Sequence, residues 1–272
     1  MTDWGYEAPP GLWPLFFALT GAVVGSFINV VIHRIPLMTA QKNNLSFNLF
    51  LPRSHCPHCG LTLRWQHTLP LASWLFLRGK CAYCGDKIAG IYPLVELFFT
   101  LFALLLSCVE QTVAASLFAL LFVGFLVPLA LIDLRHGLLP DMLTLPFLWA
   151  GLLYHALAVT SALADAIYGA VAGYVALWSL YWLFYFFTRR EGLGYGDFKL
   201  LAALGAWLGW AMLPAVLLLA ASLGILAVLA ARLYRKKSLS GEIPFGPFLT
   251  AAGALCYFFP AVSAAPLFGF LN

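Results

Sequence analysis

Long apolar stretches alternate with short polar ones along almost the whole chain. The clearest apolar runs are Leu12–Ile32, Ile91–Cys108, Val113–Ile132, Met142–Thr160, Ala164–Thr188, Leu200–Leu233 and Phe245–Phe270. A helix rises 1.5 Å per residue, so crossing a hydrocarbon core of ~30 Å takes about 20 apolar residues. The 34-residue run Leu200–Leu233 is too long for one crossing and contains Pro214, which predicts a break near Ala211–Leu213. The pattern therefore predicts an all-α integral membrane protein, a polytopic bundle of about eight transmembrane helices. One extended polar segment, residues 33–90, interrupts it and is the candidate for a small extramembrane loop domain.

Composition strengthens this reading. Of 272 residues, 62% are hydrophobic and only 10% charged, against ~25% charged in an ordinary soluble domain. The net charge of +4 is better read as topology than as attraction to an acidic partner, and no nucleic-acid partner is expected. With the N-terminus outside, alternate loops fall inside. The first holds Arg34, Lys42, Arg53, Arg64, Arg78, Lys80 and Lys87; the others hold Arg135; Arg189, Arg190 and Lys199; and Arg232, Arg235, Lys236 and Lys237. Together these are all 15 basic residues. The opposite side carries only the acids Asp3, Glu7, Glu110 and Asp165. Cytosolic loops concentrate Lys and Arg, so the split fixes the orientation and supports the helix count. Residues 1–10 contain no basic residue and the first apolar run outlasts a signal-peptide core, so it is expected to remain as helix one. No internal repeat or low-complexity tract is visible.

Four of the six cysteines stand as Cys56-Pro-His-Cys59 and Cys81-Ala-Tyr-Cys84, with 21 residues between the pairs. Two such knuckles suit a tetrahedral four-thiolate zinc site, closed and therefore structural. Gly60 and Gly85 follow the knuckles, where a positive φ is wanted. Two disulfides are the competing pairing, and the reducing side on which the charges place the loop disfavours them. His55 and His58 are near enough to replace a ligand, but the four thiols suffice. Cys108 and Cys256 lie in apolar runs and read as packing residues.

Acidic residues near bilayer depth are costly, and their default reading is functional. Asp133 ends the third apolar run, Asp141 precedes the fourth, and Asp197 lies in Gly192-Leu-Gly194-Tyr-Gly196-Asp197-Phe-Lys199. All three fall on the cytosolic face. Two carboxylates held close cannot both ionise easily, so one keeps a proton as acid while the other activates water as base. The glycines before Asp197 would permit a tight backbone approach to a neighbouring helix or an extended substrate. Asp141, preceding a new helix, reads better as a cap. Asp133 ends a helix, where the dipole disfavours an anion, so capping does not explain it. Glu96, about one turn into the second helix, could serve a substrate charge or bond a neighbouring helix. No His-Glu-x-x-His, nucleophile elbow or dinucleotide fingerprint is present.

These residues resemble the type IV prepilin peptidases, membrane aspartyl proteases of the GxGD kind. The resemblance runs through Gly25-Ser-Phe-Ile-Asn-Val-Val-Ile-His-Arg-Ile-Pro36, both cysteine pairs, Tyr92-Pro-Leu-Val-Glu96-Leu97, Asp133 to Pro140-Asp141, and Gly194-Tyr-Gly196-Asp197-Phe-Lys199. It implies a bifunctional enzyme of the bacterial inner membrane with a periplasmic N-terminus. That enzyme would cut the basic leader from prepilins and pseudopilins at the cytosolic face, after a glycine. It would then methylate the new N-terminal amine with S-adenosylmethionine. In the family pattern the catalytic pair falls on Asp133 and Asp197. Gly194, Gly196, Lys199 and Glu96 are the substrate-binding candidates, and the cysteine loop marks the bifunctional members. The S-adenosylmethionine site rests on the resemblance alone, with no residue to name for it. The expected division is 11–32 as first transmembrane helix, 33–90 as cytosolic zinc loop and 91–272 as transmembrane peptidase core. Membrane lipid is the expected surrounding, and no mark of an oligomeric state is visible. A peptidase without methyl transfer is the nearest alternative. A transporter would put acids in mid-helix within repeated halves, and a zinc-loop scaffold would leave the glycine-flanked aspartate unexplained.

Overall fold

The computed structural model describes residues 12–40, 47–109, 112–189, 192, 194–235 and 244–260. The expectations for Asp3, Glu7, Lys42, Glu110, Arg190, Lys236, Lys237 and the last apolar run beyond Pro260 lie outside these residues. Among those described the chain is all-α: two isolated β-bridges are the only extended pairings. The helices are α1 (Trp13–Ala40), α2 (Ala72–Phe76), α3 (Ile91–Val109), α4 (Val113–His136), α5 (Asp141–Ala158), α6 (Leu163–Thr188), α7 (Tyr195–Leu208), α8 (Leu213–Arg235) and α9 (Gly246–Phe258). Five segments, at α1, α3, α4, α6 and α8, are long and apolar enough to cross a membrane. Large apolar side chains are exposed along them, including Leu101 and Leu105 on α3 and Val171, Val175 and Trp178 on α6. Such surfaces would be costly in water and match lipid. The protein is thus a polytopic helical membrane bundle. It divides into two compact units, Met1–Gly124 and Phe125–Asn272.

In the first unit α1 packs along α3 through small residues. A β-carbon on Gly21 would strike the Phe99 carbonyl, and one on Gly25 would sit 2.8 Å from the Glu96 Cα. Without a hydrophobic drive between helices in lipid, such close backbone approach is what holds them. Asn29 adds a bond from its Nδ2 to the Tyr92 carbonyl (2.9 Å). The helix continues eight residues beyond the apolar run, through Pro36 to Ala40. Near its end the buried Arg34 donates to the carbonyls of Asn48 (2.9 Å), Leu49 (3.3 Å) and Pro52 (2.6 Å), tethering the polar segment to the helix.

In the second unit α7 is the central helix. From Leu200 to Trp207 every residue is buried, which is the mark of a helix enclosed on all sides. Its 14 residues span only ~21 Å at 1.5 Å each. Close glycine contacts bring in its neighbours: Gly205 against Gly169 and Leu201 against Gly173 on α6, Trp207 against Gly151 on α5, and Leu204 against Gly253 on α9. Trp207 donates its Nε1 proton to the Phe147 carbonyl (2.9 Å), fixing the α5 crossing. The break within Leu200–Leu233 falls at Gly209, whose φ of 78° ends α7, and a short 3-10 turn over Trp210–Met212 leads into α8.

Candidate active site

Three helix ends meet around the aspartates of the second unit. Helix α4 stops because Gly137 adopts φ 61° and returns its N–H to the Asp133 carbonyl (2.8 Å), a left-handed glycine cap. Asp133 therefore sits in the last turn of α4, and its side chain is buried (5% exposed). Its Oδ2 accepts the Gly246 N–H at the start of α9 (3.0 Å). Asp197 lies in the first turn of α7, where the helix dipole favours an anion, and is equally buried (7% exposed). Gly194 caps that turn through its carbonyl, which accepts the Asp197 N–H (3.1 Å). The two carboxyl groups interact electrostatically although 64 positions separate them in sequence. Among the described residues no Lys or Arg pairs with either.

Leu139 wedges the corner. A β-carbon on Gly196 would lie 2.6 Å from the Leu139 Cβ, and one on Gly246 would lie 3.2 Å from its Cδ1. Gly196 is thus required for a tight approach within the protein. Gly194 differs, since a β-carbon there would meet only the Asp197 Oδ2 at 3.5 Å, an ordinary contact.

Asp141 does not cap α5. The N-cap is Pro140, with no side-chain cap bond, and Asp141 is the first helical residue. Its Oδ1 instead pairs with Lys199 Nζ at 2.6 Å, the carboxylate exposed and the lysine half-buried. Pro140 occupies the position from which a cap would act, leaving the carboxylate free to turn outward to α7. The pairing also engages Lys199, one of the substrate-binding candidates.

The remaining candidates belong to the first unit. Glu96 Oε2 accepts the Leu71 N–H (2.8 Å), so its carboxylate joins α3 to the residue that opens α2. Leu71 has φ 58°, a left-handed conformation unusual without glycine. Of the two readings open for Glu96, the helix-bonding one describes this contact.

The four thiols Cys56, Cys59, Cys81 and Cys84 converge, with all Sγ atoms within 4.8 Å of one another. The Cys56–Cys84 separation is 3.8 Å, the edge of a tetrahedron with Zn–S bonds of ~2.3 Å. Each knuckle has the same local build. Gly60 (φ 71°) and Gly85 (φ 73°) donate to the first cysteine's carbonyl at 2.9 and 3.0 Å, and a bridge flanks each turn, His55 with Thr62 and Lys80 with Lys87. No disulfide joins the six cysteines. The backbone N–H groups of Cys84 and Tyr83 bring the Cys81 thiol down to about 7. The Asp86 N–H pulls the same way on Cys84, but burial and the neighbouring thiols outweigh it and push that group up to about 12. Four thiolates this close need a cation, so the donor set fits a zinc ion. Cys256 is buried, whereas Cys108 is exposed on α3 and does not pack in the core.

Gly246 is the residue that sequence reasoning missed. Pro244-Phe-Gly-Pro247 signals a helix start, but nothing local connects it to Asp133, 113 positions away.

Comparison with known proteins places the chain in a family. Residues 19–109 match the bacterial peptidase A24 N-terminal domain, and residues 120–229 match the type IV leader peptidase family. The chain is 47% identical over 269 residues to a prepilin leader peptidase/N-methyltransferase of Aeromonas hydrophila, covering 91% of this chain and 92% of the relative. It is also 47% identical to the protein of that name from Stutzerimonas stutzeri, covering 88% and 90%. Identity to the one from Dichelobacter nodosus is 42%, covering 97% and 96%. No solved structure matches. With both halves matched in order, the chain belongs to the type IV leader peptidase family.

Proposed function

We propose that this protein is a bifunctional enzyme of the bacterial inner membrane. It removes the leader peptide from type IV prepilins and pseudopilins and then N-methylates the new N-terminal residue. Membership of the family and the shared name of relatives covering nine-tenths of the chain support both activities. The observation that carries the peptidase half is the burial of Asp133 and Asp197 together, with no Lys or Arg partner among the described residues, at the ends of α4 and α7.

In the reaction we assign to this pair, the ionised carboxylate takes a proton from water as its oxygen bonds to the scissile carbonyl carbon. The protonated partner gives its proton to the carbonyl oxygen. Collapse of the tetrahedral intermediate breaks the C–N bond, and a carboxyl proton passes to the leaving amine. Burial and the like charge of the neighbour disfavour ionising both carboxyls, so that one keeps its proton. Gly194, with open space beside Asp197, suits the approach of an extended substrate backbone. Gly196, Lys199 and Glu96 are secondary candidates, since each is already engaged by neighbours. When bound, S-adenosylmethionine would supply an electrophilic methyl group for the freed amine, its S–CH3 bond breaking to leave the thioether while the amine loses a proton.

The finer topology belongs to the same proposal. Residues 11–32 form the first of about eight membrane helices, and 91–272 form the peptidase core. Residues 33–90 form a cytosolic loop domain in which the four cysteines hold a structural Zn2+. The basic loops face the cytosol, the N-terminus faces the periplasm, and the aspartates open to the cytosolic side. A prepilin carries a basic leader ahead of an apolar helix, so its cleavage point would lie where the cytosol meets the bilayer.

The test uses purified full-length protein in detergent with a prepilin and S-adenosylmethionine. The product is expected to have lost its leader and gained the mass of one methyl group on its N-terminus. Leader loss without the methyl increment would reduce the protein to a peptidase, and an unchanged prepilin would refute the proposal.

A further inference from the structure

We propose that Gly246 is a positioning residue of the peptidase centre: its backbone N–H fixes the Asp133 carboxylate, and its missing side chain keeps open the space which that carboxylate fills. The inference rests on Asp133 being half of the cleaving pair.

Asp133 needs such a partner. It lies in the last turn of α4, where the orphan carbonyls carry partial negative charge and disfavour an anion. It is buried and has no Lys or Arg counter-ion among the described residues. The start of α9 supplies what is missing. Pro247 has no N–H, and the N–H groups of Phe248 and Leu249 both turn back to the Phe245 carbonyl at 3.1 Å. The Gly246 N–H therefore points out of the helix, and its acceptor is Asp133 Oδ2 at 3.0 Å. The bond engages one oxygen and leaves Oδ1 for water or substrate.

The glycine is required for space. Gly246 does not have a positive φ, so a left-handed backbone is not what calls for glycine there. A β-carbon there would lie 2.5 Å from Asp133 Oδ2 and 3.1 Å from its Cγ, with Leu139 Cδ1 at 3.2 Å closing the other side. A single methyl would push the carboxylate off its present position. General acid–base chemistry tolerates little such displacement, and a misplacement of ~1 Å can cost ~100-fold in rate.

Gly253, on the same helix, provides the contrast. A β-carbon there would also collide, but with Leu204 on α7 and not with either aspartate. General crowding of α9 would affect both glycines alike, and a positioning role would affect only the first.

The experiment measures leader removal kinetics with full-length Gly246→Ala, Gly253→Ala and Asp133→Asn, and methyl transfer to an already cut pilin. Gly246→Ala is expected to lower kcat for cleavage by about 10- to 100-fold, with KM and methyl transfer preserved. Gly253→Ala is expected to lower thermal stability and keep kcat. Should Gly246→Ala fail to fold, replacing Gly246 by glycolic acid turns the N–H into an ester oxygen with no added bulk, and kcat is expected to fall about 10- to 100-fold, as loss of a hydrogen bond to a charged group implies. Wild-type kcat in Gly246→Ala or in the ester, or an equal kcat loss in Gly253→Ala, would overturn the proposal while an inactive Asp133→Asn left the dyad standing. An active Asp133→Asn would overturn the dyad, and this proposal with it.

Discussion

At the scale of single residues, burial separates the three aspartates Asp133, Asp141 and Asp197. Asp133 and Asp197 are shut away from solvent, while the Asp141 side chain is 56% exposed and neutralised by Lys199. An exposed ion pair contributes at most ~1 kcal/mol. Asp141→Ala should therefore shift the melting temperature slightly and leave leader cleavage intact. Loss of cleavage in that variant would make Asp141 a third functional carboxylate. The acids were legible in the sequence because any charge at bilayer depth calls for a reason. The outward turn of Asp141 was not, because it depends on Lys199, 58 positions away. Arg34 was missed for a similar reason. It counts in sequence as one more inside charge, yet it is buried and bonds carbonyls 14 to 18 positions along the chain.

At the scale of elements, the cysteine knuckles were the most readable feature, since each is complete within a few residues. The Cys-x-x-Cys-Gly spacing fixes two thiols and a left-handed turn locally, and both turns take that form. A loop with so little core needs such a staple. Metal analysis of purified protein should give about one zinc per chain, as one four-thiolate site requires. Cys81→Ser should lower that content together with the loop's protection from proteolysis. Protein that carries no zinc, with an equally resistant loop, would contradict the structural role. Helix packing was less readable. Gly21 and Gly25 look like ordinary members of an apolar run until α3 lies against them. Helix α7 begins at Tyr195, ahead of the apolar run, because Asp197 and Lys199 belong to its first turns.

At the scale of the whole molecule, membrane character and helical class followed from the length and spacing of apolar runs, which need no tertiary information. The convergence of distant helix ends was not written in that pattern. The ends of α4, α7 and α9 come from positions 133, 197 and 246, and short helices with glycine at their contacts bring them together. The short, fully enclosed α7 opens at Asp197, and α9 opens against Asp133. The aspartate cluster is thus a product of the bundle, whereas the cysteine knuckles are a product of local sequence.

The most direct measurement of the central claim is leader removal by Asp133→Asn and Asp197→Asn, each purified and assayed beside wild type, with methyl transfer to an already cut pilin as a measure of folding. Because each carboxyl has its own part in moving the proton, either substitution alone should abolish cleavage while methyl transfer persists. Full cleavage by either single variant, with methyl transfer equally intact, would contradict the assignment of the pair.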